Sequence, residues 1–226
     1  MTPSHPGLIV TGTDTGIGKT HVACAIVTAL NLQGLRTTVM KPVASGCEVT
    51  AEGLRNEDAL KLMSVASIHQ EYGDVNPYAF EPAIAPHIAA EQAGVHIELR
   101  HIARTYTKNI LHSDVCVVEG VGGWLVPLNE DESVADLAAE LRLPIVLVVG
   151  IRLGCINHAL LTIQQIERDD LPLLGWVANV IDADMDLLQE NIRTLEQHIP
   201  YPLLGVIPYA PYASFIQLSQ HLNIKI

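Results

Sequence analysis

Lys19 and Thr20 stand at the end of a run of small residues, Gly12-Thr13-Asp14-Thr15-Gly16-Ile17-Gly18, and at the start of a stretch with helical spacing. Such a loop leaves consecutive backbone N–H groups free to face an anion, and the helix start behind it adds partial positive charge. The chemistry this suits is the holding of a triphosphate: Lys19 reaches the β- and γ-phosphates, and the Thr20 hydroxyl ligates Mg²⁺. The strict phosphate-loop pattern places a glycine where Thr13 stands, so the loop is a variant. A glycine-rich turn that binds nothing is the plainer alternative.

Other polar residues follow short apolar runs. Glu119 closes Val115-Cys116-Val117-Val118 and leads into Gly120-Val121-Gly122-Gly123. A carboxylate there is placed to help hold Mg²⁺, a hard ion that takes few protein oxygens; an ordinary turn acid is the other reading. Lys41, in Met40-Lys41-Pro42-Val43-Ala44-Ser45-Gly46, can stabilise a phosphoryl group in transfer, or be a solvated strand-end charge. Ser45 can donate to a substrate. Asp58 by itself reads as a first-turn acid that complements a helix dipole. The ten histidines show no metal-ligand spacing on a common face and read as solvated or packed.

The elements that must position these groups alternate. Strands are expected over 8–11, 37–41, 115–119, 145–149, 174–180 and 203–207. Helices are expected over 19–32, 56–65 capped by Asn56, 87–93, 97–111, 133–141 capped by Ser133, 156–168 and 186–198. The stretch around Pro77, Pro82 and Pro86 reads as turns, and 209–226 offers little pattern. Alternation of this kind gives right-handed βαβ units: one α/β domain over 1–226, three-layered, with a mostly parallel β-sheet flanked by helices. Ligands of such sheets bind at the carboxyl ends of the strands, just past which the candidate residues lie.

Composition agrees. The chain has 226 residues, 49% of them apolar and few aromatic, so the core must be aliphatic. A net charge of −12 disfavours nucleic acid and anionic membranes as partners. The four cysteines are scattered, which reads as reduced, intracellular usage. The first ten residues lack a basic leader pattern, and no apolar run approaches the roughly 18 residues of a spanning helix, so a cytoplasmic location is expected.

Segments 12–20, 41–46, 54–60, 75–78, 86–87, 118–124, 154–158 and 175–179, in order over about residues 8 to 208, resemble the dethiobiotin synthetase family of P-loop NTPase enzymes. The resemblance implies an ATP-dependent ring closure in biotin synthesis. 7,8-Diaminopelargonate takes up CO₂ or bicarbonate as a carbamate, ATP phosphorylates the carbamate to a carbamic–phosphoric anhydride, and the second amine closes the ureido ring. The products are dethiobiotin, ADP and phosphate. The resemblance makes Lys41 and Lys19 the catalytic residues and Thr20, Asp58 and Glu119 the Mg²⁺ ligands. Gly16, Ile17, Gly18 and His21, with Gly120, Val121 and Gly122, would surround the phosphates. Asn179, Val180, Pro208, Tyr209 and Ala210 would border adenine. Thr15, Ser45, Leu153, Gly154, Cys155, Ile156 and Asn157 would contact the diamine substrate, the last five across a homodimer interface.

Rival readings are weaker. A partition-type switch ATPase often carries an extra lysine early in the loop, where Thr13 and Asp14 stand here. The Asn179-Val180-Ile181-Asp182 spacing of a GTPase lacks the lysine after Asn179.

Overall fold

The computed structural model describes residues 7–225. Residues 1–6 and 226 lie outside the described residues, and with them part of the leader reading and the outer ends of the expected 1–226 domain.

The chain opens with β1 (Gly7–Gly12), in which Leu8, Ile9 and Val10 are wholly buried. After the loop comes α1 (Lys19–Leu32), then β2 (Thr37–Met40), β3 (Val43–Ser45), β4 (Glu48–Thr50) and β5 (Gly53–Arg55). They are followed by α2 (Glu57–Val65), α3 (Tyr72–Val75), β6 (Tyr78–Phe80), α4 (Pro86–Gln92) and α5 (Leu99–Ile110). The second half alternates strictly: β7 (Val115–Glu119), α6 (Val134–Leu141), β8 (Ile145–Ile151), α7 (Cys155–Arg168), β9 (Leu173–Val180), α8 (Leu188–His198), β10 (Leu203–Ile207) and α9 (Phe215–Ser219).

Six strands form one parallel sheet in the order β10-β9-β8-β1-β7-β2. Both of its faces are covered, which is why its strands read as continuous apolar runs. Side chains alternate across the sheet: Ile9, Cys116 and Val118 point to one core with Ile102, Leu137, Ile163 and Leu195. Leu8, Val10, Val115 and Val117 point to the other, with Val22, Ile26, Leu62 and Leu218. The helices of the first core are α4, α5, α6, α7 and α8, and those of the second are α1, α2, α3 and α9. This is the expected three-layer α/β arrangement.

Register sets the site. Val10 pairs with Glu119 and Met40 with Val118, so the phosphate loop, Glu119 and Lys41 leave the same end of the sheet side by side.

Differences from the sequence reading lie between β2 and α5. Lys41 falls one residue past the end of β2. The proline-marked stretch holds more order than turns, because β6 pairs in parallel with β3 and β4 pairs with β5 as a small hairpin. Strands of three residues are too short to show a period. The outer edge of β2 is closed by the segment that follows α2: Thr37 N donates to Ser67 Oγ at 2.7 Å, Ile68 N donates to Thr37 O at 3.1 Å, and the Gln70 amide accepts from Val39 N at 2.8 Å and donates to Val39 O at 3.0 Å. An edge strand covered in this way offers no free ladder to another chain. The terminal stretch is also ordered, with α9 packed against α1 and Leu222 bridged to Gly205.

Candidate active site

Gly18 turns the loop into α1 at φ 79°, in the left-handed region. A Cβ there would sit 2.3 Å from Asn179 Nδ2, so only glycine fits both the backbone and the space. Asn179, at the end of β9, donates through Nδ2 to Ile17 O at 2.7 Å and so fastens the loop. Lys19 Nζ donates to Asp14 O at 2.7 Å. Burial, and next the neighbouring Lys41, pull the Lys19 pKa down to about 8. Two buried ammonium groups close together call for an anion between them.

Glu119 is the opposite pole. It is 1% exposed. Its Oε1 accepts from Lys41 Nζ at 2.6 Å and from Thr20 Oγ1 at 2.9 Å. Its Oε2 is buried with no partner. Lys41 also donates to Gly120 O at 3.2 Å and lies 3.7 Å from Asp58 Oδ2. Asp58 is in the first turn of α2, which Asn56 caps by accepting from Ala59 N. Among the described residues no group of three or more His, Cys, Asp or Glu could hold a metal by itself. Thr20, Asp58 and Glu119 instead offer three hard oxygen donors, one of them a buried carboxylate oxygen short of a partner. That set fits Mg²⁺ completed by phosphate and water oxygens.

These groups face a cleft of about 710 Å³. Thr15, Ser45, Val121 and Gly122 line it too, and residues 83–86 with Val126 give it an apolar wall. The Ser45 hydroxyl is buried there without a partner. A second cavity of about 210 Å³ shares Gly16, Gly18 and His21 with the first. Asn179, Val180, Pro208, Tyr209 and Ala210 form its walls. Two cavities meeting over a phosphate loop can take a nucleotide base on one side and the reacting groups on the other.

Not every expected residue joins them. Ile17 is core, and only its carbonyl takes part. Leu153, Gly154, Cys155, Ile156 and Asn157 line neither cavity of this chain. Leu153 is 92% exposed, Cys155 is buried, and Gly154 is the N-cap of α7. That turn is tied to the loop by an ion pair from Arg152 to Asp14. Asp14 and the 83–86 wall carried no periodic signal in the sequence. Asn56 did, as a helix cap.

A family model described as "AAA domain" matches residues 6–216. The Cellvibrio japonicus protein named ATP-dependent dethiobiotin synthetase BioD is 52% identical over 221 residues, 98% of this chain and 97% of its own. The chain belongs to the dethiobiotin synthetase family. Other members of the dethiobiotin synthetase family match as fully: those of Pseudomonas paraeruginosa and Xanthomonas euvesicatoria pv. vesicatoria are each 49% identical, covering 97% of this chain and 97% and 98% of their own. Among solved structures, MinD of Pyrococcus horikoshii complexed with Mg-ADP superposes with a TM-score of 0.56 at 14% identity, over 96% of this chain and 94% of that one. A ParA family ATPase from Chlorobium tepidum gives 0.57 at 13%, over 97% and 91%. Likeness at that identity speaks for a shared P-loop fold alone. Among the described residues no helix is long and apolar enough to cross a membrane.

Proposed function

We propose that this protein is an ATP-dependent dethiobiotin synthetase of biotin synthesis that joins CO₂ to 7,8-diaminopelargonate and closes the ureido ring at the expense of ATP. The observation that carries this is the convergence of Lys19, Thr20, Lys41 and Glu119 in one cleft beside an apolar wall. A carbamate and a γ-phosphate are both anions and must meet in line, so the site has to supply positive charge between them. Lys19 and Lys41 do so. Thr20, Asp58 and Glu119 hold Mg²⁺, which when bound neutralises charge on the phosphates. Lys41, freed from Glu119, faces the transferring group. Ser45 and Thr15 hold the polar end of the diamine, and residues 83–86 with Val126 receive its aliphatic chain. Asn179, with Oδ1 still available, reads the base, and Pro208, Tyr209 and Ala210 flank it. The α7 N-terminus, Leu153 to Asn157, serves a second copy of the chain in a cytoplasmic homodimer, offering the N–H groups of Ile156 and Asn157 to the substrate carboxylate there.

Purified protein given ATP, Mg²⁺, bicarbonate and the diamine should release ADP only with the diamine present, with a ureido product by mass. Hydrolysis that ignores the diamine would replace this reading with a nucleotide switch.

A further inference from the structure

A chain of side-chain hydrogen bonds connects two groups of the site from behind. Asn56 N donates to Tyr72 Oη at 2.7 Å, Tyr72 Oη donates to Asn76 Oδ1 at 2.9 Å, and Asn76 Nδ2 donates to Lys41 O at 2.7 Å. Asn76 also donates to Tyr78 O at 3.1 Å, and Lys41 N donates to Val75 O at 2.8 Å. The direction is fixed throughout. A backbone N–H can only donate, so the Tyr72 oxygen accepts it and spends its own proton on Asn76. That in turn settles the Asn76 amide with its NH₂ toward Lys41. Asn56 and Asn76 are both buried, and the Arg55 guanidinium lies 4.2 Å from the Tyr72 ring centre.

We propose that Tyr72 and Asn76 are positioning residues that hold the Asp58-bearing turn of α2 in register with Lys41. The covalent path between those groups is no guide, because it runs through the exposed hairpin of β4 and β5, with Val49 70% exposed. Asp58 itself is 40% exposed at the side chain and touches Lys41 only at 3.7 Å, so its own contacts do not fix it. The relay does. One end sits on Asn56, whose side chain caps the turn that carries Asp58, and the other on the backbone of Lys41. Tyr72 and Asn76 line neither cavity of the site. Outer partners of this type set how well a metal ligand is aimed.

The inference rests on Asp58 as a Mg²⁺ ligand, so its test separates the two. Tyr72→Phe keeps the ring beneath Arg55 and removes the hydroxyl alone. Mn²⁺ binding to the full-length protein with ADP, read by water-proton relaxation, should weaken about tenfold, with the thermal midpoint lowered by only a few degrees as the Asn56 N–H and the Asn76 carbonyl lose their partner. Under turnover, the Mg²⁺ concentration for half-maximal rate should rise by the same factor while KM for ATP at saturating Mg²⁺ holds. Asp58→Asn should weaken Mn²⁺ binding at least as much, and adding Tyr72→Phe to it should cost nothing further. Asn76→Asp, nearly isosteric but without the NH₂, should lower kcat through Lys41. Wild-type Mn²⁺ binding in Tyr72→Phe, or additive losses in the double variant, would overturn the relay while leaving Asp58 a ligand. Wild-type Mn²⁺ binding in Asp58→Asn would overturn the ligand reading, and the relay with it.

Discussion

Glu119 and Lys41 depend on each other more than a list of site residues suggests. Each is almost wholly buried, and the 2.6 Å contact between them is what makes the burial tolerable. Removing one partner leaves the other charged and enclosed, which costs about 3–5 kcal/mol. Lys41→Met should therefore lose stability in urea on that scale, and pairing it with Glu119→Gln should recover most of the loss. Catalysis will not follow: kcat falls about a hundredfold or more in either Lys41 variant, because the charge on the transferring group goes unmet. Turnover at the wild-type rate would take Lys41 out of the mechanism. Glu119→Gln alone should flatten the Mg²⁺ dependence of nucleotide binding in calorimetry, and an unaltered dependence would exclude Glu119 as a ligand. Lys19, Thr20, Lys41 and Glu119 were legible in the sequence because each follows an apolar strand or a glycine loop. Tyr72 was not, and Asn76 was legible only as part of the resembling segment 75–78 with no role attached, since a lone polar residue in an irregular stretch looks the same whether or not it spans two functional groups.

Elements with a cap or a long period were readable almost to the residue. α1 runs from Lys19 to Leu32 as its spacing requires, and Ser133 starts α6 through a capping box with Asp136. The three-residue strands β3 and β6 escaped, as did α9, because nothing so short repeats. The lead into β2 and β7 has its own fastening. Asp114 accepts from Arg36 N at 2.8 Å, Nε at 3.2 Å and Nη2 at 2.8 Å. Hydrogen bonds from the Arg36 side chain, then its backbone, hold the Asp114 pKa down at about 2, against 3.8 when free. A depressed carboxylate contributes stability above its unfolded pKa and loses it as pH falls through the folded one. The stability gap between wild type and Asp114→Asn, followed by urea denaturation, should be constant above 3.8 and close as pH drops toward 2. A gap that does not depend on pH would mean the carboxylate charge contributes nothing. The effect is small, because the pair is exposed to solvent.

For the molecule as a whole, sheet and layers followed from wholly apolar strands, but strand order did not. No local pattern says that β7 inserts between β1 and β2, or that β8 flanks β1 on the other side. Nor does one chain complete every expected contact. Leu153 and Leu161 stand well exposed on the turn before α7 and on α7 itself. Under the proposed homodimer, Leu153→Asp should turn the dimer into a monomer in sedimentation and raise KM for the diamine while leaving nucleotide binding intact. An unchanged sedimentation coefficient would remove this surface from the interface. The sheet order has a further result. β1 and β2 do not pair with each other; both are hydrogen-bonded to β7, and β1 otherwise only to β8. As the ribosome delivers the chain, the first two strands and the phosphate loop must wait without ladder partners until Val115–Glu119 has cleared the exit tunnel. The nucleotide pocket thus cannot form before the middle of the chain has emerged, and chains released before that point would carry its lysines but could not yet set them against Glu119.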